Sequence, residues 1–435
     1  MKNKPKFTYV DLFSGIGGFR VAADKLNGKS QGYSEIDRFA IETYKKNFDD
    51  PVEHNLGDIT KITNLPKIDL LMGGVPCQSW SVAGKKLGFD DPRGKLWFDT
   101  IKMVKISRPK VFIFENVKGL ADPRNHKSLQ LLKTTFKNMK YITFDKVLNT
   151  YDFGQPQNRS RIFLIGFRKD LENNSKLFEY PTNKKPHKEL IDFLDNIEKK
   201  KIIKKKFTKE HLFNGKVPLS RNASQKNDEL NDFFVLCDTR NGHSTIHSWD
   251  IRETNQIEKN ICMSILKNRR KKKYGDSDGN PMSFEDIKEL VKDATIKNIN
   301  DLVKKKILRY TKTNKIDLVN SKNSSGIDGI YRVFLPNSTI FSTLTATGTR
   351  DYIATEYITG DSIEDYKNNF IKNILKKNKI RQITTKEAHR IQGFPKKFKI
   401  HPNDRHASKQ IGNSVSPIVV ESVLKNIIDT GVFDN

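Results

Sequence analysis

Cysteine is scarce in this chain. Cys77, Cys237 and Cys262 are the three among 435 residues. They are too few and too widely spaced for a disulfide framework, and they fit no zinc-ligand pattern. The expectation is a reducing, cytoplasmic compartment. Long apolar runs are missing as well: none approaches the ~20 residues that a bilayer requires, so no membrane partner is expected. Met1-Lys2-Asn3-Lys4-Pro5 leads directly into a strand pattern, with no signal-peptide core between them. No internal repeat stands out. Acidic residues are in deficit, 51 against 79 lysines and arginines, which leaves a net charge of +28. Such an excess suits a polyanionic partner, because phosphate contacts release counterions. A lysine-rich composition gives the same number without any partner, and many lysines here sit beside asparagine and isoleucine. Charge alone leaves both readings open.

What the chain does have is one distinctive stretch, Leu70-Leu71-Met72-Gly73-Gly74-Val75-Pro76-Cys77-Gln78-Ser79-Trp80-Ser81. An apolar run ends in two glycines, a proline and a cysteine. Polar and glycine-bearing sequence follows, through Gly84, Lys85, Lys86, Gly88, Asp90, Asp91, Arg93 and Gly94. This predicts a buried strand delivering a thiol at its carboxyl end, then a basic loop. Open α/β sheets bind ligands at that edge, which suits a nucleophile. A lone cysteine after an apolar run is more often a small core residue, so its context has to decide.

Upstream, residues 7–13 are rich in β-formers and predict a first strand. Ser14-Gly15-Ile16-Gly17-Gly18 then turns into a helix over 19–26, with glycines where a backbone could approach a ligand. Residues 31–37 read as a second strand ending in acid. Glu35 falls about twenty residues after Gly15, the spacing at which an acid reaches ribose hydroxyls in dinucleotide-type units; the plainer alternative is a helix cap. Gly57-Asp58-Ile59-Thr60 is expected to end a third strand, and residues 68–72 form a fourth. Residues 111–117 give a fifth strand, apolar enough to be buried on both faces, with an acidic tip at Glu115. Strands over 142–148 and 161–167 flank an arm in which Arg159 and Arg161 alternate and so share a face. Strand–helix alternation predicts an α/β fold with a doubly wound sheet.

Beyond about Tyr180 the composition shifts. Lysine-rich runs appear at 199–206, 267–273 and 304–309, each equally readable as a solvated face or a phosphate contact. A capped helix is expected over 283–294. His243 and His247 have i, i+4 spacing but no cysteine partner and no evident helix, so no metal is expected. Regular pattern returns at residues 342–348. Thr384 and Glu387 then make a capping box, and Gly393 and Pro395 stop the helix. Gln410-Ile411-Gly412-Asn413-Ser414-Val415 leads into a final apolar helix through Ile427.

Five of these motifs, in this order, resemble those of the bacterial cytosine-5 DNA methyltransferases of restriction-modification type: residues 11–19, 76–78, 115–117, 157–161 and 410–415. The likeness covers residues 7–167 and 343–427. It implies the mixed sheet of S-adenosylmethionine-dependent methyltransferases, with an antiparallel strand near one edge. It implies a catalytic domain of residues 1–180 and 400–435 and a smaller target-recognition domain of 181–399, which the chain enters and leaves. S-adenosylmethionine would lie among Phe13, Gly15, Ile16, Gly17, Gly18, Glu35, Ile36, Asp58, Ile59, Pro76, Leu96, Asn413 and Val415. Glu35 would take the ribose hydroxyls and Asp58 the adenine amino group. Ile36 stands where the family often has an aromatic residue that stacks on adenine. The resemblance makes Cys77 the nucleophile toward cytosine carbon 6. Glu115 would manage the proton at N3, Arg159 would hold the base carbonyl and Arg161 would support the site. Gln78, Ser81, Arg93, Arg240, Thr345 and Arg350 are the candidate DNA contacts. The implied partner is double-stranded DNA holding a flipped cytosine. A monomer is expected, working near the nucleoid, with a cognate restriction endonuclease as a candidate partner. Two rivals are a tRNA cytosine methyltransferase and a catalytically silent DNA-binding protein on the same fold. Adenine or amino-group methylation fits less well, because those enzymes carry an Asp/Asn-Pro-Pro-aromatic turn where this chain has Val75-Pro76-Cys77-Gln78.

Overall fold

The computed structural model describes residues 5–76, 95–182, 185–202, 233–237, 244–277, 279–320, 326–349 and 351–434. The chain forms two compact units. The first comprises Met1–Lys188, Ile340–Thr349 and Thr384–Asn435; the second comprises Glu189–Thr339 and Arg350–Ile383.

The first unit opens with β1 (Phe7–Leu12), α1 (Gly18–Lys25), β2 (Gly28–Ser34), α2 (Arg38–Asn47) and β3 (Leu70–Gly74). It continues with α3 (Leu96–Ser107), β4 (Val111–Val117), α4 (His126–Asn138), β5 (Tyr141–Asn149), β6 (Ser160–Arg168) and α5 (Glu172–Lys176). The sheet order is β2-β1-β3-β4-β6-β5. All neighbours run parallel except β6, which is antiparallel to both β4 and β5, one strand in from the edge. Period-two alternation explains why β4 is apolar throughout. Val111 and Ile113 enter one core with Tyr9, Phe19 and Ile165, while Phe112 and Phe114 enter the opposite core with Leu71, Trp97 and Phe136.

The expected third strand at residues 57–60 is not one. Asp58 caps a single 3₁₀ turn, Ile59–Lys61, accepting from the Thr60 backbone N–H at 3.0 Å and its hydroxyl at 2.9 Å. A short polar side chain here offers the backbone a local partner that competes with a ladder. β2 likewise ends at Ser34, earlier than expected, because Asp37 caps α2 through the Phe39 and Ala40 N–H groups.

The second unit holds β7 (Phe233–Leu236), β8 (Thr245–Ile246), α6 (Ser248–Ile251), α7 (Gln256–Asn268), α8 (Phe284–Leu290) and α9 (Ile296–Lys304). β9 (Leu308–Tyr310), β10 (Ile316–Leu318), β11 (Arg332–Phe334), β12 (Tyr352–Ala354), α10 (Ile363–Phe370) and β13 (Ile380–Arg381) complete it. β13-β12-β11-β7-β8 make one sheet, and β9 and β10 a separate hairpin. The helix expected over 283–294 ends at Leu290, with Ser283 and Asp286 forming its capping box, and the following residues turn into α9.

The chain then returns to the first unit as α11 (Thr385–Gln392), α12 (Asp404–Asn413) and α13 (Pro417–Ile428). Thr384 and Glu387 form the expected capping box, and Gly393 ends α11 in the left-handed region at φ 101°. α13 closes the first core with Val419, Val420, Val423, Leu424 and Ile427. Burial of each contributes roughly 2 kcal/mol. Residues 340–349 and 384–399, which the sequence reading placed in the insert, belong with the first unit. Phe341 pairs with Gln157 and accepts from the Asn158 N–H at 3.0 Å.

Candidate active site

The parallel register of β3 and β4 sets Gly74 beside Glu115 at the carboxyl edge of the sheet. Two residues further, the described chain reaches Pro76; residues 77–94, which include Cys77, Gln78, Ser81 and Arg93, lie outside the described residues. Asn116 fastens this edge. Its side-chain amide donates to the Val75 carbonyl at 3.1 Å, and its Oδ1 accepts from the Val117 N–H at 2.8 Å. The strand leading to Cys77 is thereby tied to the strand bearing Glu115.

Glu115 is 8% exposed. Arg161 enters from β6, where it pairs with Val117, and brings its Nε to 3.1 Å from Glu115 Oε1. Burial pushes the Glu115 carboxyl above its ordinary value, with Arg161 and then Arg159 opposing that shift. The result is a carboxyl that keeps its proton to higher pH than a free one.

Arg159, 2% exposed, makes a different set of contacts. Its Nη1 donates to the Leu344 carbonyl at 3.0 Å. Its Nη2 donates to the carbonyls of Gly412 at 3.1 Å and Ser414 at 2.8 Å. Gln392 donates to the same Ser414 carbonyl at 2.7 Å and accepts from Gln157 at 3.0 Å. This set of bonds joins the β5–β6 arm to the returning segments at 340–349 and 385–415. Gly412 permits the close approach, since a Cβ there would stand 2.1 Å from the Thr345 carbonyl carbon.

The glycine turn after β1 lies at the same sheet edge. Phe13 and Gly15 adopt left-handed φ values of 52° and 55°. Gly17 is packed against Phe48, and Gly18 against Ser414 and Val415, whereas the side-chain position of Gly15 is open. The Glu35 carboxylate accepts from the backbone N–H groups of Gly15, Ile36 and Asp37, each at 2.8 Å. It therefore locks the end of β2 to the glycine turn. Asn55 binds the Gly57 N–H at 3.0 Å and Ser34 the Gly57 carbonyl at 2.6 Å, which sets Asp58 near the same edge. The hydrogen bonds from Thr60 hold the Asp58 carboxyl below its ordinary value. Ile36 is 71% exposed.

Among the expected cofactor residues, Phe13, Gly15, Pro76 and Leu96 are half-buried and Asn413 is exposed, while Ile16, Ile59 and Val415 point into the cores. Among the expected DNA contacts, Thr345 is exposed and its hydroxyl donates to the Gly348 carbonyl at 2.6 Å. Arg240 and Arg350 lie outside the described residues. Sequence reasoning gave no role to Asn116, Gln157, Gln392 or Asp11. Asp11 is wholly buried in β1, and neither carboxyl oxygen has a hydrogen-bond partner among the described residues. Burial pushes its carboxyl far up, Arg20 opposes, and Glu35 adds to the rise. A carboxylate inside an apolar strand run was the signal that could have singled it out.

A family model described as C-5 cytosine-specific DNA methylase matches residues 7–429. The Type II methyltransferase M.HgiBI of Herpetosiphon aurantiacus is 46% identical over 431 residues, covering 99% of this chain and 98% of the relative. The Type II methyltransferase M.BanI of Aneurinibacillus aneurinilyticus is 33% identical over 446 residues, covering 98% and 97%. Among solved structures, a methyltransferase of Entamoeba histolytica matches with a TM-score of 0.54 at 15% identity, covering 98% of this chain and 99% of that one, which is a likeness of fold. A family match over nearly the whole chain, with relatives of full length, settles the assignment: the chain belongs to the C-5 cytosine-specific DNA methylases and is a DNA (cytosine-5)-methyltransferase.

Proposed function

We propose that the enzyme methylates carbon 5 of a flipped cytosine in a specific double-stranded DNA sequence, through a transient covalent bond to Cys77, with S-adenosylmethionine as donor. The observation that carries this reading is the buried Glu115–Arg161 pair, set beside the strand that leads into Pro76 and Cys77.

The residues fit the donor. A carboxylate has about four lone-pair sites, and Glu35 uses three on backbone N–H groups, leaving acceptor capacity for ribose hydroxyls. The open sides of Gly15 and Gly57 leave room for a ligand against the backbone. The exposed Ile36 offers an apolar face beside Glu35 for adenine, and Asp58 an acceptor for its amino group. S-adenosylmethionine, when bound, supplies an electrophilic methyl group on a sulfonium.

The chain's own residues prepare the base. The Cys77 thiolate adds to carbon 6 of cytosine, and the ring electrons move toward N3, leaving carbon 5 enamine-like. Glu115, whose proton affinity burial raises, donates at N3 as charge builds there. Arg161 orients Glu115 and balances its charge once the proton has moved. Arg159 acts from behind, holding the segments around Leu344 and Ser414 that frame the site. After carbon 5 is methylated, loss of its proton, departure of the thiolate and return of the N3 proton to Glu115 restore the ring and the enzyme.

The second unit serves as the target-recognition domain, with phosphate contacts positioning the duplex and a few side chains reading bases. Its lysine excess supports that role. The enzyme acts as a monomer in the cytoplasm at the nucleoid, beside a cognate restriction endonuclease. Bisulfite sequencing of plasmid recovered from expressing cells tests the reading. One fixed sequence context with converted neighbours is expected, and loss of the mark in Cys77→Ala. Unmodified cytosine throughout, or full modification by Cys77→Ala, overturns it.

A further inference from the structure

Residues 255–319 form a body with its own core within the second unit, built from Ile261, Ile265, Ile287, Ile299, Leu302 and Leu318 among others. The order of its parts is specific. α7 comes first, followed by Met282, which bridges antiparallel to Ile316. α8, a short turn over 291–295, and α9 come next, and then the β9–β10 hairpin. Two short helices joined by a short connection, the second amphipathic and followed by a two-stranded hairpin, follow the element order of a helix-turn-helix with a β-wing.

Two contacts fix the hairpin to the helices, and a third ties the end of α9 to α7. The Tyr310 hydroxyl on β9 donates to Asn300 Oδ1 on α9 at 3.0 Å. Asp317 on β10 is buried between Arg269, at the end of α7, at 3.3 Å and Arg309 at 2.8 Å. Lys305 meets the buried Glu258 of α7 at 2.8 Å. Helix and hairpin are thus presented as one rigid edge.

The charge on this body is asymmetric. α8 exposes Glu285, Lys288 and Glu289, the last paired with Lys273 at 2.8 Å. α9 buries Ile299 and Leu302 and exposes Lys297, Asn300 and Lys304. The hairpin turn exposes Lys312, Thr313, Asn314 and Lys315. Lys297, Lys312 and Lys315 make no ion pair among the described residues. The α9–hairpin edge is therefore basic.

We infer that this edge is a duplex-DNA contact of its own, in which α9 enters the major groove by its Lys297–Asn300–Lys304 face and the turn over 311–315 grips the adjacent phosphates. The inference rests on the reading of the second unit as DNA-binding and deepens it by naming the element that reads. In such modules the amino-terminal half of the second helix meets base edges, and lysines placed off it take phosphates. The contact extends recognition beyond the methylated base pair.

The test uses the full-length enzyme and a duplex carrying its methylated sequence. Binding is followed by anisotropy between ~50 and ~200 mM salt. Lys312→Ala/Lys315→Ala lies on an exposed turn that the core does not need. It is expected to weaken binding about 10-fold and to reduce the salt slope by about 2, one counterion per lost phosphate contact. Lys297→Ala/Lys304→Ala is expected to change the flanking-base preference in bisulfite profiles of a randomised plasmid. Lys127→Ala/Lys137→Ala, on α4 of the first unit, serves as a charge control and is expected to leave both readouts unchanged. Wild-type affinity, slope and sequence preference in both module variants overturn the inference, as does an equal loss in the α4 control. Failure of the wild-type enzyme to bind or methylate any duplex removes the underlying reading instead, which keeps the two outcomes apart.

Discussion

Arg161 Nε stands 3.1 Å from Glu115 Oε1, and the strands that carry them are antiparallel neighbours in the sheet. A buried carboxyl with a raised proton affinity and a guanidinium beside it is poised to give up a proton and be stabilised afterwards. The sign of the pH effect follows. The protonated form does the work, and its population falls as pH rises through the raised value. We therefore expect kcat/KM to decline on the alkaline side, and Glu115→Gln to lower kcat about 100-fold or more and to flatten that limb. Single-turnover methyl transfer across pH measures both. An unchanged alkaline limb in Glu115→Gln would assign the titration elsewhere.

Arg159 and Arg161 should separate in their effects. Arg159 satisfies three backbone carbonyls in a buried setting, so Arg159→Ala leaves acceptors without partners. The expected cost is about 3 kcal/mol or more, seen as a lower Tm. Arg161→Ala is expected to keep most of the stability and to lose kcat. Thermal melts paired with steady-state kinetics distinguish the two. An Arg159→Ala protein with wild-type Tm would return Arg159 to direct contact with the base.

These two arginines also mark where the sequence was legible. Local signals carried well: the glycine turn after β1, the Thr384–Glu387 capping box, the Gly393 stop and the doubly buried β4 could each be read from a handful of adjacent residues. The partners of Arg159 could not. They lie 185 to 255 positions away, and nothing near Arg159 distinguishes a latch for carbonyls from a hand for a base. The sheet of the second unit was illegible for a related reason. β8 and β13 have two residues each, too short for alternation to register, and β7 finds β11 across a long interval. The Gly57–Thr60 segment misled because its apolar residue is buried in a turn that a neighbouring carboxylate caps.

Asp11 supplies a stability prediction. Burial raises the proton affinity of its carboxyl in the fold, while in the unfolded chain it ionises normally. The folded state therefore binds the extra proton, and stability falls as pH rises from the unfolded value toward the raised folded one. Each unit of that window costs about 1.4 kcal/mol. Asp11→Asn cannot ionise, so its stability relative to wild type is expected to grow as pH rises above the ordinary carboxyl range. Denaturant melts at several pH values test this, and a pH-independent difference would show that Asp11 is ionised in the fold.

Ile36 offers the most direct probe of the cofactor reading, because it can be changed without touching the core. The side chain is 71% exposed, so neither truncation nor enlargement should alter the Tm of the free enzyme. Glu35 beside it cannot be probed as cleanly, since its carboxylate also holds the N–H groups of Gly15, Ile36 and Asp37. If adenine packs on residue 36, Ile36→Ala removes apolar contact and should weaken S-adenosylmethionine binding by about 1 kcal/mol. Ile36→Phe presents a flat ring and should tighten it by about 0.5–1.5 kcal/mol. Titration calorimetry on the three proteins reads both changes, with melts of the free enzymes as the control. Equal affinity across Ala, Ile and Phe, with Tm unchanged, would place the adenine away from residue 36 and leave the open sides of Gly15 and Gly57 to be explained by another ligand geometry.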